Sequence, residues 1–159
     1  MKASAIKGLQ VRPAGGEEVT GTVADLILDT DERRVVAVQV NRLENVEMYV
    51  LAAGDIEGIS ENGMTARRDA VLLPQEDAAN YLTLPTFNRL LDQKAMTEGG
   101  DVLGKLADID VNTDTWEIDG YGIVNNLAED LAQGEHELSP DQVLSAGAHM
   151  LLVSPSGQA

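Results

Sequence analysis

The chain has 159 residues, 43% of them apolar and only 3% aromatic, so its core must be built from Val, Leu, Ile and Ala. Its 27 acids against 11 bases give a net charge of −16, which disfavours direct binding to nucleic-acid phosphates or anionic lipid, since both call for a Lys/Arg surface. No cysteine is present, which removes disulfides, thiolate metal sites and cysteine nucleophiles; no apolar run approaches the ~18 residues of a membrane span, and the first residues lack the apolar stretch of a signal peptide, so a soluble, cytoplasmic protein is expected.

Along the chain, Gly15-Gly16 is a turn signal. A strand rich in Val, Leu and Ile follows over 19–28, then a polar turn, Asp29-Thr30-Asp31-Glu32, then a returning strand over Arg34–Asn41. A third extended segment is expected at Val46–Leu51, one helical-type turn at Ala52–Asp55, and two short strands at Ile56–Ser60 and Met64–Arg67. Between 74 and 93, Glu76–Leu82 can form a short helix and Pro85 can start another. Tyr81, Leu82, Leu84, Phe87, Leu90 and Leu91 are too many apolar residues for a flexible linker, so this segment is expected to pack against the rest.

The pattern then recurs. Gly99-Gly100 precedes a strand over 102–111, in which Ala107, Ile109 and Val111 alternate with Asp108, Asp110 and Asn112. A polar turn and a returning strand over Thr115–Val124 complete a second hairpin, and Ser139–Gln142, with Pro140 at its start, matches the helical-type turn. Residues 16–31, GEEVTGTVADLILDTD, align without a gap on residues 99–114, GGDVLGKLADIDVNTD, with seven identities in sixteen positions. Further on, Leu51 and Ile56 match Leu138 and Val143, so the second copy has gained about four residues, placed within 125–134. The reading is all-β, with unit 1 over 1–75, a partly helical connector over 76–93, unit 2 over 94–155 and a tail over 156–159. Five or six short strands per unit imply a small barrel, which leaves no open sheet edge.

At Gly16, Gly21, Asp25 and at Gly99, Gly104, Asp108 the chain resembles the PRC-barrel family, in the pattern Gly-x-acid-Val-x-Gly-x-Val/Leu-Ala-Asp-Leu/Ile followed by a hairpin. The resemblance covers both units. It implies two tandem small β-barrels of a family found in the cytoplasmic part of the photosynthetic reaction-centre H subunit and in a ribosome-maturation factor that binds a ribosomal protein. It further implies an assembly or docking module that performs no chemistry of its own.

Asp108, Asp110, Asn112 and Asp114 have the spacing of a calcium loop, but Thr113 stands where that loop needs Gly. Same-face strand residues lie about 6.6 Å apart in a line, whereas ligands wrap an ion at about 2.4 Å; an acidic outer face is expected instead. Gly99 to Lys105 nearly spells a phosphate loop, yet Leu106 replaces the Ser or Thr that would hold magnesium. His136 and His149 accompany no nucleophile motif, and Arg33-Arg34 and Arg67-Arg68 are isolated base pairs in an acidic chain. No catalytic residue, cofactor or metal is therefore expected, and the protein is read as no enzyme. Tyr49, Trp116 and Tyr121 are candidates for an interface if exposed. The second half holds only three bases, Arg89, Lys94 and Lys105.

The expected function is a non-enzymatic scaffold that docks a protein partner on a barrel surface, with no direct nucleic-acid contact and no membrane span. Two tandem copies mimic a homodimer, and further self-association is compatible with this reading. Two alternatives stay open: a ribosome-maturation or RNA-processing accessory acting through a ribosomal protein, and an ion- or ligand-responsive sensor using the acidic face of unit 2.

Overall fold

The aliphatic runs on either side of the two polar turns form the longest strands of the molecule. The computed structural model describes residues 1–16, 18–42, 47–124, 136–147 and 150–154. In chain order these comprise α1 (Ala3–Ile6), β1 (Gln10–Pro13), β2 (Gly21–Asp29), β3 (Arg34–Arg42) and β4 (Met48–Ala52). A 3-10 turn at Ala53–Asp55 leads to β5 (Ile56–Ser60), β6 (Gly63–Ala66) and β7 (Leu73–Pro74). The segment before the second copy holds α2 (Ala79–Leu82) and α3 (Phe87–Leu90). There follow β8 (Lys94–Thr97), β9 (Val102–Val111), β10 (Ile118–Val124) and β11 (His136–Leu138), a 3-10 turn at Pro140–Gln142, then β12 (Val143–Ala146) and β13 (Met150–Val153).

The protein is mostly β, in two sheets. The first runs β5-β6-β1-β2-β3-β4-β7 and the second β11-β10-β9-β8-β13-β12. Strand by strand these are one topology written twice. A meander, β1 to β4 or β8 to β11, is antiparallel throughout. Its first strand also pairs in parallel with the second strand of a later hairpin, β1 with β6 of β5-β6 and β8 with β13 of β12-β13. Only β7 has no counterpart among the described residues. The registers agree as well: Val38 lies opposite Leu51, and Tyr121 opposite Leu138. The four-residue gain expected in 125–134 lies outside the described residues, as do His149 and the tail.

Each long hairpin carries a β-bulge at the same place. Pairing jumps from Val23 to Asp25 in β2 and from Leu106 to Asp108 in β9, leaving Ala24 and Ala107 as the extra residues. A bulge breaks the two-residue alternation. This corrects the expected acidic outer face: Asp108 turns inward and is buried, as is Asp25, while Asp110 remains on the outer side. Both buried carboxylates accept a hydrogen bond from the next backbone N–H, Leu26 and Ile109, at 2.8 Å each.

Each of these carboxylates also accepts from the short helix that precedes the other copy's strands. Asn88 of α3 donates its N–H to Asp25 Oδ1 at 2.9 Å. Ser4 of α1 donates its N–H to Asp108 Oδ1 at 3.1 Å and its hydroxyl to Asp108 Oδ2. Thus the short helix that precedes the first copy caps the second, and the helix that precedes the second caps the first. The backbone repeats the exchange: Val111 N–H donates to Met1 O and Leu28 N–H to Pro85 O, both at 2.9 Å. The two hairpin turns meet through Arg34 opposite Glu117, with Val35 N–H donating to Trp116 O at 2.7 Å and Ile118 N–H to Arg33 O at 2.9 Å. Arg34 and Glu117 are equivalent residues of the two copies, so this pair marks a pseudo-two-fold axis. One continuous apolar cluster, from Ala3 and Ile6 through Leu26 and Leu51 to Leu106, Trp116 and Leu151, runs through both copies.

Gly21 and Gly104 have a plain structural cause. A Cβ added to either would lie 2.3 Å from a carbonyl oxygen of the neighbouring strand, Asn41 or Val124. No larger residue fits there without moving backbone.

Candidate interaction surface

Strand alternation assigns each residue of the β9-β8-β13-β12 region to the core or to the outer face. Ala95, Leu151 and Val153 point inward and are buried. The outer face is formed by two cross-strand rows. One row reads Val102, Met96, Leu152, Ser145 across β9, β8, β13 and β12. The next reads Val124, Lys105, Lys94, Met150 across β10, β9, β8 and β13. Val102 is 49% exposed and Met150 39%, and Leu144, in the bulge of β12, is 44% exposed. Among the described residues, three of the six exposed large hydrophobic residues therefore lie on or beside one face.

Val19 is the counterpart of Val102, but at the other positions of these two rows the first sheet carries no large apolar side chain. Arg12, Thr65 and Gly58 stand where the second sheet has Met96, Leu152 and Ser145. Asn41, Thr22 and Gln10 stand where it has Val124, Lys105 and Lys94. Arg12 Nη2 donates to Gln10 Oε1 at 2.8 Å, so this polar face is tied within itself. The strand order and pairing around these rows are the same in both copies, so this pairing does not by itself require the apolar face of the second.

A second pair of equivalent surfaces shows the reverse arrangement. In the first sheet, Ile27, Ala37 and Val50 form an apolar outer patch covered by Ala78, Tyr81 and Leu84 from the segment around α2. The corresponding residues of the second sheet are Asp110, Gly120 and Glu137. Glu137 lies over Gly120, where an added Cβ would meet its Oε1 at 2.0 Å. The Glu137 carboxyl is held above its usual range, first by a hydrogen bond with Asp110, then by burial and by the Asp110 charge, with Lys2 pulling the other way.

The sequence-predicted residues are dispersed by this architecture. Asp108 is occupied with Ser4, and Asp110 lies beside Glu137. Asn112 Oδ1 accepts the N–H groups of Asp114 and Thr115 at 2.9 and 3.2 Å, closing the hairpin turn in which Asp114 is exposed. These four do not converge on a common point, and the described residues hold no group of three or more His, Asp or Glu placed to share an ion. Trp116 is buried beside the pseudo-two-fold axis with φ 65°, and Tyr121 is buried in the core. Desolvation pushes the Tyr121 hydroxyl up to about 12. Tyr49 is half-buried, under the Arg42 guanidinium at 5.2 Å, and its hydroxyl donates to Glu47 at 3.2 Å. Arg67 pairs with Asp69 at 3.4 Å.

Two open clefts adjoin the turn at Ala53–Asp55. One, of about 620 Å³, is lined by Ala14, Gly54, Ile56, Glu57 and the Arg67–Asp69 turn. The other, of about 460 Å³, runs between β5 of the first copy and the Thr113–Trp116 turn of the second. Sequence reading missed the apolar face of the second sheet. Its signal was legible only in the pairs Arg12/Met96 and Thr65/Leu152, which lie beyond the sixteen aligned residues.

No helix among the described residues is long and apolar enough to cross a membrane. No family model matches the chain, and no curated protein matches it.

Proposed function

We propose that the chain is a non-enzymatic docking scaffold of the PRC-barrel type, made of two tandem PRC-like barrels, that receives a protein partner on the outer face of the second sheet. The observation that carries this reading is the divergence of equivalent surfaces on a shared backbone. Exposed, clustered apolar residues cost solubility, and monomeric proteins keep such patches small unless they are used. The first copy shows that the fold accommodates Arg, Thr, Gln and Asn at the same positions. A surface that departs from this in only one copy is retained for a contact. The buried carboxylates Asp25 and Asp108 serve the scaffold by fastening each copy to the helix of the other.

The test is a photo-crosslinking amino acid placed at Met96 in one variant and at Arg12 in another, expressed in the source cells. The docking reading expects a discrete protein adduct from position 96 and none from position 12. Adducts that are the same from both positions, or absent from both, refute it.

A further inference from the structure

Resting on that docking reading, we infer that the outer face of the second sheet takes an acidic, apolar segment of a partner protein, with carboxylates over Lys94 and Lys105 and apolar side chains over Met96, Leu152 and Val102. The charge distribution carries this step. The residues from 81 onward hold three bases against thirteen acids. Two of those three bases, Lys94 and Lys105, are cross-strand neighbours on this one face. Their row is bordered by Val124 and Met150, and the adjoining row is apolar over three strands. A lysine pair inside an apolar field offers a low-dielectric setting in which a partner carboxylate gains more than it would in water.

The arrangement also orients the segment. The turn that joins β8 to β9 carries exposed Glu98 and Asp101 beyond the apolar row. Carboxylates of a partner are repelled from that end and attracted to the lysine row, so the apolar side chains fall on Met96 and Leu152. A second copy of this chain fits less well. An isologous contact centred on the face would set Lys94 and Lys105 against their own equivalents, a like-charge juxtaposition. An anionic bilayer would attract the two lysines but repel the remainder of a chain carrying −16.

The experiment uses the full chain and three fluorescent peptides of equal length: alternating Leu and Glu, alternating Leu and Lys, and alternating Ser and Glu. Fluorescence anisotropy is expected to show binding of the Leu/Glu peptide alone, falling with added salt. The Lys94→Glu, Lys105→Glu double variant should weaken it about tenfold or more, and Lys94→Gln, Lys105→Gln by less, with both variants melting as the parent does. Failure of the Leu/Glu peptide to bind at millimolar concentration, equal binding of the Leu/Lys peptide, or indifference to the lysine changes overturns the inference. Concentration-dependent dimerisation lost in a Met96→Arg, Leu152→Thr variant assigns the face to a second copy, and co-flotation with phosphatidylserine vesicles assigns it to a membrane; either overturns it too. An adduct at position 96 that survives the lysine changes refutes the acidic partner and leaves docking intact, whereas no adduct at all refutes docking itself.

Discussion

The two copies share a strand order, a bulge position and a capped aspartate, yet they diverge on both of their outer surfaces. Where the first copy is polar without charge or carries arginine, at Gln10, Thr22, Arg12 and Thr65, the second carries two lysines beside apolar residues, at Lys94, Lys105, Met96 and Leu152. Where the first is apolar, at Ile27, Ala37 and Val50, the chain itself covers it, and the second presents Asp110 and Glu137 instead. The difference separates what the fold needs from what the surface is for. Interior and bulge residues are held in common because one backbone imposes them, and the outer rows are free to be specialised.

The largest departure within the shared part is at the axis. Trp116 is buried and Arg33, its equivalent, is exposed, although both have positive φ. Trp116→Ala is expected to cost about 3–5 kcal/mol, as for a large aromatic removed from a core, while Arg33→Ala should stay within about 0.5 kcal/mol. Urea unfolding measures both; equal effects would mean that the tryptophan does not fill the seam between the copies.

A smaller contrast lies in the exchanged caps. Asp25→Ala and Asp108→Ala each strand buried N–H groups and should cost about 2–4 kcal/mol. Asp108 has the extra Ser4 hydroxyl, so its loss should cost about 1 kcal/mol more. Ser4→Ala should remove most of that excess. If Ser4→Ala is neutral while Asp108→Ala is costly, the hydroxyl does not help to hold α1 on the second copy.

The smallest effect concerns the acidic surface. Glu137 has a raised folded-state pKa, so its favourable contribution is present at acid pH, below the ordinary glutamate value, and is lost as pH rises through the raised one. Glu137→Gln keeps a donor toward Asp110 at every pH. The variant should melt slightly above the parent near neutrality, and the gap should close toward the ordinary glutamate pKa. A gap that widens on acidification would contradict the raised value of Glu137.

Much of the hairpin architecture was legible, because Val/Leu/Ile runs bounded by Gly-Gly and Asp/Asn-rich turns leave the chain few alternatives. Strand ends fell within a few residues of their expected places, as at Arg34–Arg42 and Ile56–Ser60. The bulges were not legible, since Ala24 and Ala107 look like any alternating residue and the inward turn of Asp108 depends on a partner far away in sequence. Nor was the exchange of α1 and α3, because four-residue helices have no periodicity to detect and their role is tertiary. The candidate face was hidden for a related reason: it is assembled across β9, β8 and β13, and parallel pairing of β8 with β13 joins residues more than fifty positions apart.

The most direct measurement carries the first copy's residues into the second, as Met96→Arg with Leu152→Thr, and reads thermal melting beside photo-crosslinking from Leu144. A surface kept for docking predicts an unchanged melting temperature and loss of the adduct. A lowered melting temperature with the adduct retained would make the apolar face a structural requirement of the second copy and contradict the account.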